Sequence, residues 1–141
     1  MKYLFFLSLF LVVAKGCRDK KVDGVIMADY GEEITLKLGE AMKLAGGDKQ
    51  GFLFSSVEND SRCPKGVSCI QAGSATILVE EMNVTPKQVN IPADARGKTS
   101  FSIQGAKIII LSLNPYPVQG EKITMEDYRL VLRVEEGAPK L

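Results

Sequence analysis

The chain of 141 residues contains no histidine and no tryptophan, and it has three cysteines. Without histidine, neither a Ser-His-Asp triad nor a Cys-His pair can form, and most hydrolytic zinc sites lose a usual ligand. The sequence also lacks a glycine-rich phosphate loop between a strand and a helix. A hydrolase would have to use a Ser-Lys dyad, but no Ser-x-x-Lys stands on a helical pattern. We therefore predict that the protein is not an enzyme and carries no cofactor.

The chain has no excess of either charge sign. It carries 18 Lys and Arg against 17 Asp and Glu, a formal charge of +1. Removing a leader that contains Lys2 and Lys15 leaves 16 against 17, a charge of −1. Binding of duplex nucleic acid needs clustered Lys and Arg that displace counterions. The composition therefore predicts no nucleic-acid partner, and we interpret Lys20-Lys21 as part of a solvated tether.

The apolar run near the start of the chain is short. It extends from Leu4 to Ala14, about eleven residues, whereas a membrane-spanning helix needs roughly 20. With Lys2 in front of it, the run is typical of the apolar core of a secretory signal. We predict a signal peptide at residues 1–16, a tether at 17–30 and one domain at 31–141, which is large enough to bury its own core.

The end of this leader resembles the lipobox of bacterial lipoproteins, in which a small residue precedes a lipidated cysteine. Ala14, Gly16 and Cys17 match, and Lys15 departs from the pattern, as in relaxed Bacteroidetes lipoboxes. The resemblance implies a lipid on Cys17 that ties the protein to a bilayer without crossing it. Because Arg18 rather than Asp follows the cysteine, the resemblance also implies the outer membrane. The acidic run that marks surface export in Bacteroidetes lipoproteins is not evident in Arg18-Asp19-Lys20-Lys21, so we expect the protein to face the periplasm. The alternatives are a secreted protein with Cys17 as an unpaired thiol and a retained helical anchor.

The mature chain alternates apolar and polar residues with a period of two, which is typical of β-strands. No long helical period is present, and Gly, Pro and Asn separate the strand-like runs. The pattern predicts an all-β domain, a single antiparallel β-sandwich of Greek-key or Ig-like type or a small barrel, with seven to eight strands. The predicted strands are Ile34–Leu38, Ala41–Leu44, Phe52–Val57, Ser74–Glu80, Gln88–Ile91 (an edge), Thr99–Ile103, Ile108–Leu113 (central) and Tyr128–Val134.

Two cysteines, Cys63 and Cys69, lie close together between strand-like runs. Because the leader directs the chain to an oxidising compartment, we predict a disulfide between them. Pro64 and Gly66 permit the tight reversal that such a link requires. A metal site is the rival interpretation, but two thiolates without histidine fall short of the four ligands of a structural zinc centre.

Polar residues precede the first of these cysteines. We expect Asp60 to accept backbone donors in the turn, and Arg62 to pair with a carboxylate or to cap strand carbonyls. The rival interpretation makes Glu58 to Ser61 oxygen ligands of Ca²⁺. Consecutive residues of an extended chain point alternate ways, so we favour the turn.

Several motifs resemble a family of small bacterial envelope proteins, many of them Bacteroidetes-like lipoproteins. They are Asp60-Ser61-Arg62-Cys63-Pro64, the step from Cys69 to Ala72-Gly73, Asn114-Pro115-Tyr116-Pro117 and Asp127-Tyr128-Arg129-Leu130. The match covers roughly Ile34 to Val134, and Gln71 stands where the family often has tryptophan. The resemblance implies an envelope location and this fold, and it brings no reaction with it.

Two tyrosines in these motifs have candidate roles. Tyr128, at the start of the last strand, is similar to the tyrosine corner of Greek-key sandwiches, whose hydroxyl bonds to backbone a few residues upstream. Pro115 and Pro117 hold an extended bend around Tyr116. We expect Tyr116 to pack against the domain, with a partner contact as the alternative.

These observations predict an anchored, non-catalytic binding module for an unidentified protein, glycan or small ligand. Its loops would be Asp48-Lys49-Gln50, Cys63 to Cys69, Pro92 to Lys98 and Pro115 to Lys122. The alternative is a structural envelope component that assembles through the edge at Gln88 to Ile91. Protease inhibition is a narrower version of the first function and depends on fold analogy alone.

Overall fold

A computed structural model describes residues 21–22, 24–47, 50–81, 84–93, 97 and 99–137. The predicted signal peptide and Cys17 lie outside these residues. Within these residues, the chain forms strands and one short 3₁₀ turn, Met125–Asp127. The strands are β1 Lys21–Val22, β2 Val25–Ala28, β3 Glu33–Lys37, β4 Ala41–Leu44, β5 Gly51–Asp60, β6 Ser74–Glu81, β7 Lys87–Pro92, β8 Thr99–Ile103, β9 Ala106–Asn114 and β10 Arg129–Glu136.

The strands form two sheets that pack together. One has six strands in the order β1-β2-β4-β5-β6-β7, and the other has four in the order β3-β10-β9-β8. All neighbours are antiparallel except β2 and β4, which are parallel. This architecture confirms the predicted all-β sandwich. It also places β7 at a sheet edge and β9 inside its sheet, as the sequence predicted.

The core forms between the sheets because apolar residues recur at every second position. In β10, Leu130, Leu132 and Val134 are buried, while the residues between them are half-buried. Across the core, the rings of Phe52 and Phe101 meet edge to face with centroids 5.5 Å apart. Alternation along each strand therefore supplies one apolar face per sheet.

Two details differ from what the sequence predicts. Strict alternation along the predicted strand Phe52–Val57 places Val57 on the opposite face from Phe52 and Phe54, but all three belong to the same core. A register shift between Phe54 and Ser56 is the reason, since an extra residue in one strand changes which face the following residues point to. In addition, Val25–Ala28, predicted as tether, is a strand that pairs with β4 through Val25 and Ala41.

The two ends of the sandwich differ. One end, which we call the clip pole, contains the segment Cys63 to Cys69 (the clip) and the long loop between β9 and β10. The opposite pole contains the turns between β4 and β5 and between β8 and β9, where the Gln50 side-chain amide donates to the Gln104 carbonyl at 2.8 Å. In the part of the chain that the structure describes, no helix is long and apolar enough to cross a membrane.

Candidate functional site

A disulfide closes the clip. The sulfurs of Cys63 and Cys69 are bonded, with their Cα atoms 6.0 Å apart, which confirms the predicted link. The clip is also joined to the β9–β10 loop by backbone hydrogen bonds. The Lys65 amide donates to the Pro117 carbonyl at 2.9 Å, and the Gln119 amide donates to the Lys65 carbonyl at 3.0 Å. Covalent and hydrogen bonds together therefore hold two loops that are distant in sequence.

Arg62 connects the clip to the end of β9. Its side chain is 3% exposed and its partner Asp60 is 9% exposed. Two guanidinium nitrogens donate to the two carboxylate oxygens of Asp60, at 2.8 and 2.6 Å. The guanidinium also donates to the Leu113 carbonyl at 2.7 Å and to the Pro115 carbonyl at 3.1 Å. Both predicted roles, pairing with a carboxylate and capping strand carbonyls, are thus combined in one side chain.

Tyr128 completes this network in a way that the sequence did not predict. Its hydroxyl donates to Oδ2 of Asp60 at 3.0 Å, across 68 positions of the chain, and not to backbone just upstream. The tyrosine-corner prediction was therefore wrong about the partner. Burial, followed by the charge and hydrogen bond of Asp60, raises the pKa of Tyr128 to about 12. The hydroxyl consequently stays protonated and remains a donor at neutral pH.

The pKa of Asp60, the acidic residue of the network, is shifted downwards, whereas that of Tyr128 is shifted upwards. Burial alone raises the pKa of Asp60, but the hydrogen bonds and charge of Arg62, together with the Tyr128 hydroxyl, lower it below its ordinary value of 3.8. The carboxylate is therefore held in its ionised form, as a buried group paired with a guanidinium must be.

This pKa predicts an acid-sensitive contribution to stability. Because the folded-state pKa of Asp60 is below the unfolded one, its contribution is present above about pH 4 and is lost as the pH falls through the folded-state value. We expect the difference in free energy of unfolding between the natural chain and Asp60→Asn to shrink below that pH. Urea titrations from pH 2 to 7 measure it, and a difference that is constant over this range would contradict an ionised pair.

Gly73 allows the clip to return close to the strand that precedes it. It has a φ of +73°, and a Cβ atom there would lie 1.9 Å from the Ser61 carbonyl oxygen. On either side, the Ser61 amide donates to the Ser74 carbonyl and the Cys63 amide donates to the Ala72 carbonyl, both at 2.8 Å. A residue with a side chain would push these paired backbones apart. The Ala-Gly step of the motif is therefore a steric requirement.

The Tyr116 ring packs against two cationic side chains, Arg62 just before the clip and Lys65 within it. Its ring centroid is 5.0 Å from Cζ of Arg62 and 5.7 Å from Nζ of Lys65, distances at which cation–π attraction operates. The tyrosine is half-buried. The expected packing role is thus present, and part of the side chain still faces solvent.

A cleft of about 700 Å³ opens beside this network at the clip pole. Four segments build its walls: Arg62 with the clip, the end of β7, the end of β9 and the β9–β10 loop at Tyr116. Its lining residues are Arg62, Cys63, Pro64, Lys65, Gly66, Val67, Ile91, Pro92, Ala93, Leu111, Ser112, Leu113, Asn114 and Tyr116. The volume falls in the range of small-molecule and peptide sites.

Two apolar side chains at the clip pole are exposed to solvent, one in the clip and one directly after it. Ile70 is fully exposed, and Val67 is 42% exposed. Single exposed aliphatic side chains are common on protein surfaces, and of these two Val67 is the one that lines the cleft.

The structure brings most predicted site residues together. Asp60, Arg62, Pro115, Tyr116 and Tyr128 meet in one network. Pro64 lines the cleft, Pro117 holds the clip, and Gly73 supports its return. Of the predicted binding loops, the clip, Pro92 and the Pro115 to Lys122 segment share the clip pole.

Some predicted positions lie elsewhere, and some contributors were missed. Gln50 is at the opposite pole, while Asp48, Lys49 and residues 94–96 and 98 fall outside the described residues. The sequence did not identify Ser112 or Ile91 as cleft residues, because their pattern is that of ordinary strand positions. Within the described ranges, no group of three or more acidic or cysteine side chains is arranged to hold a metal ion.

No family model and no solved structure matches the chain. Among curated proteins, it is similar to the DNA-directed RNA polymerase subunits beta' of Streptomyces avermitilis and Streptomyces coelicolor, each 29% identical over 107 residues, which is 72% of this chain. The chain spans 8% of the length of each of these subunits.

Proposed function

We propose that the protein is a lipid-anchored, non-catalytic binding module of the cell envelope, and that the cleft at the clip pole is its binding site. One observation carries this proposal: separate sequence motifs converge to build a single concave site around a buried ion pair. The buried pair of Asp60 and Arg62 is fully engaged with its own protein, so it serves to position the walls rather than to react. The ligand would be a segment of a protein or of a glycan.

The lining provides several kinds of contact for such a ligand. Tyr116 offers part of an aromatic ring and Lys65 an ammonium group, while Val67 and Leu111 supply aliphatic surface. An amide and a hydroxyl stand side by side where Asn114 Nδ2 donates to Ser112 Oγ at 3.1 Å. The lining is thus divided about equally between polar and apolar surface, which suits a ligand that presents both kinds of group.

Assembly through a sheet edge has less support. The edge strand β7 starts at Lys87 and ends at Pro92. A charged residue and a proline on an edge strand are devices that oppose pairing with another sheet. The RNA polymerase similarity covers so small a part of those subunits that it brings no nucleic-acid function into the proposal.

Site-specific cross-linking in the native envelope tests the binding site. A photoreactive phenylalanine analogue replaces Val67 in the cleft wall, and in a matched control it replaces Val84, which is 52% exposed at the opposite pole. We expect a discrete cross-linked product at Val67 and none at Val84. The product should disappear when Ser112→Tyr fills the cleft. Equal products from both positions, or a Val67 product that Ser112→Tyr leaves unchanged, would contradict the proposed site.

The anchor has a separate test. Replacing Cys17 by serine removes the only attachment point for the proposed lipid, so we expect the protein to leave the membrane fraction. Fractionation of envelopes and an intact-mass measurement check this, because each acyl chain adds a defined mass to the natural protein. Membrane retention of the Cys17→Ser chain with an uncleaved leader would instead support a helical anchor.

A further inference from the structure

The position of the first strand restricts how an anchored domain can stand on a bilayer. β1 pairs with β2 through Lys21 and Ile26, Ile26 pairs with Met42 of β4, and Met42 pairs with Phe52 of β5. Lys21 therefore lies level with Phe52, near the start of β5. β5 ends at Asp60, eight residues further along that strand and three residues before the clip. At about 3.3 Å per residue, this separation is about 25 Å.

The direction of β1 adds to this separation. β1 is antiparallel to β2, and β2 ends at Ala28 beside Leu44, on the side away from the clip. The first residue of β1, Lys21, is therefore at the end of that strand that is nearer the opposite pole. Cys17 precedes Lys21 by four residues, so even a fully extended chain places it within about 14 Å of Lys21.

From these lengths we infer that a lipid on Cys17 holds the opposite pole next to the bilayer and directs the cleft away from it, so that the cleft takes a water-borne ligand and not a membrane lipid. A head-on approach of the clip pole to the bilayer would need Lys21 about 25 Å from the surface, which is beyond the reach of a tether of about 14 Å. This inference rests on the proposed function, since it assumes the anchor and takes the cleft as the site.

The absence of tryptophan makes the orientation measurable. A single tryptophan is introduced at one pole or the other. Ile70→Trp places it at the clip pole, directly after the clip. Tyr30→Trp places it at the opposite pole and is a conservative change at a position that is 46% exposed. A maleimide lipid is then coupled to Cys17 of each chain covering residues 17–141, in which Cys63 and Cys69 are protected by their disulfide. The proteins are placed on phosphatidylcholine vesicles with or without a nitroxide on the lipid headgroup.

We expect the nitroxide lipid to quench the tryptophan fluorescence of Tyr30→Trp. The fluorescence of Ile70→Trp should be the same on vesicles with and without nitroxide. Equal or stronger quenching of Ile70→Trp would overturn the inference. Quenching of Ile70→Trp by vesicles to which the chain has not been coupled would overturn it as well, because the clip itself would then bind lipid. These results do not depend on a captured ligand, so they are separate from the cross-linking test of the cleft.

Discussion

Replacing Arg62 by alanine is expected to destabilise the folded domain by about 3 to 5 kcal/mol, because it leaves a buried carboxylate without its partner. Asp60 would lose both charged hydrogen bonds, and the carbonyls of Leu113 and Pro115 would lose their donor. A domain of this size is typically stable by about 5 to 15 kcal/mol, so the loss is a large part of the total. Urea unfolding with the disulfide intact, followed by circular dichroism, measures it.

Two further variants make the interpretation of Arg62 specific. Arg133→Ala removes an arginine whose side chain is 39% exposed and whose ion pair with Glu33 is long, at 3.9 Å, so we expect a loss below about 1 kcal/mol. Arg62→Lys keeps the charge but loses the planar fork that serves a carboxylate and two carbonyls, and should be intermediate. If Arg62→Ala cost no more than Arg133→Ala, the network would not hold the clip pole together.

Replacing Gly73 by alanine is expected to cost about 3 to 5 kcal/mol or to prevent folding. Part of this cost, about 1 to 2 kcal/mol, comes from placing a side chain at a φ of +73°. The rest comes from the overlap of the new methyl group with the Ser61 carbonyl and with Cα of Arg62, which would lie 3.1 Å away. The displaced backbone includes the residue that carries the guanidinium, so the ion-pair network should be disturbed too.

Gly66 provides the matched control for this steric argument. It lies in the clip with a φ of +89°, but the nearest atom to an added Cβ is the side-chain oxygen of Gln119 at 3.5 Å. Gly66→Ala therefore introduces backbone strain without steric overlap, and we expect the free energy of unfolding to fall by about 1 to 2 kcal/mol. The free energies of unfolding of the two variants separate strain from overlap. Equal losses would mean that the close approach of Gly73 to Ser61 is unimportant.

The strands were predictable because each one is specified by residues that are close together in the sequence. Burial on one sheet face requires an apolar residue at every second position, and β10 shows this in Leu130, Leu132 and Val134. For the same reason, eight predicted strands correspond to β3 to β10. The bulge in β5 was not predictable, because an extra residue changes the face of Val57 without changing the composition of the run.

The sequence by itself determined the all-β character, the pairing of Cys63 with Cys69 and the list of residues that matter near the clip. It left the partners of those residues open. Only the tertiary structure decided that Tyr128 reaches Asp60, that Arg62 caps the end of β9, and that β7 completes a cleft. The physical reason is that periodicity and turn chemistry act over a few residues, whereas these contacts join segments that meet only when the two sheets have packed.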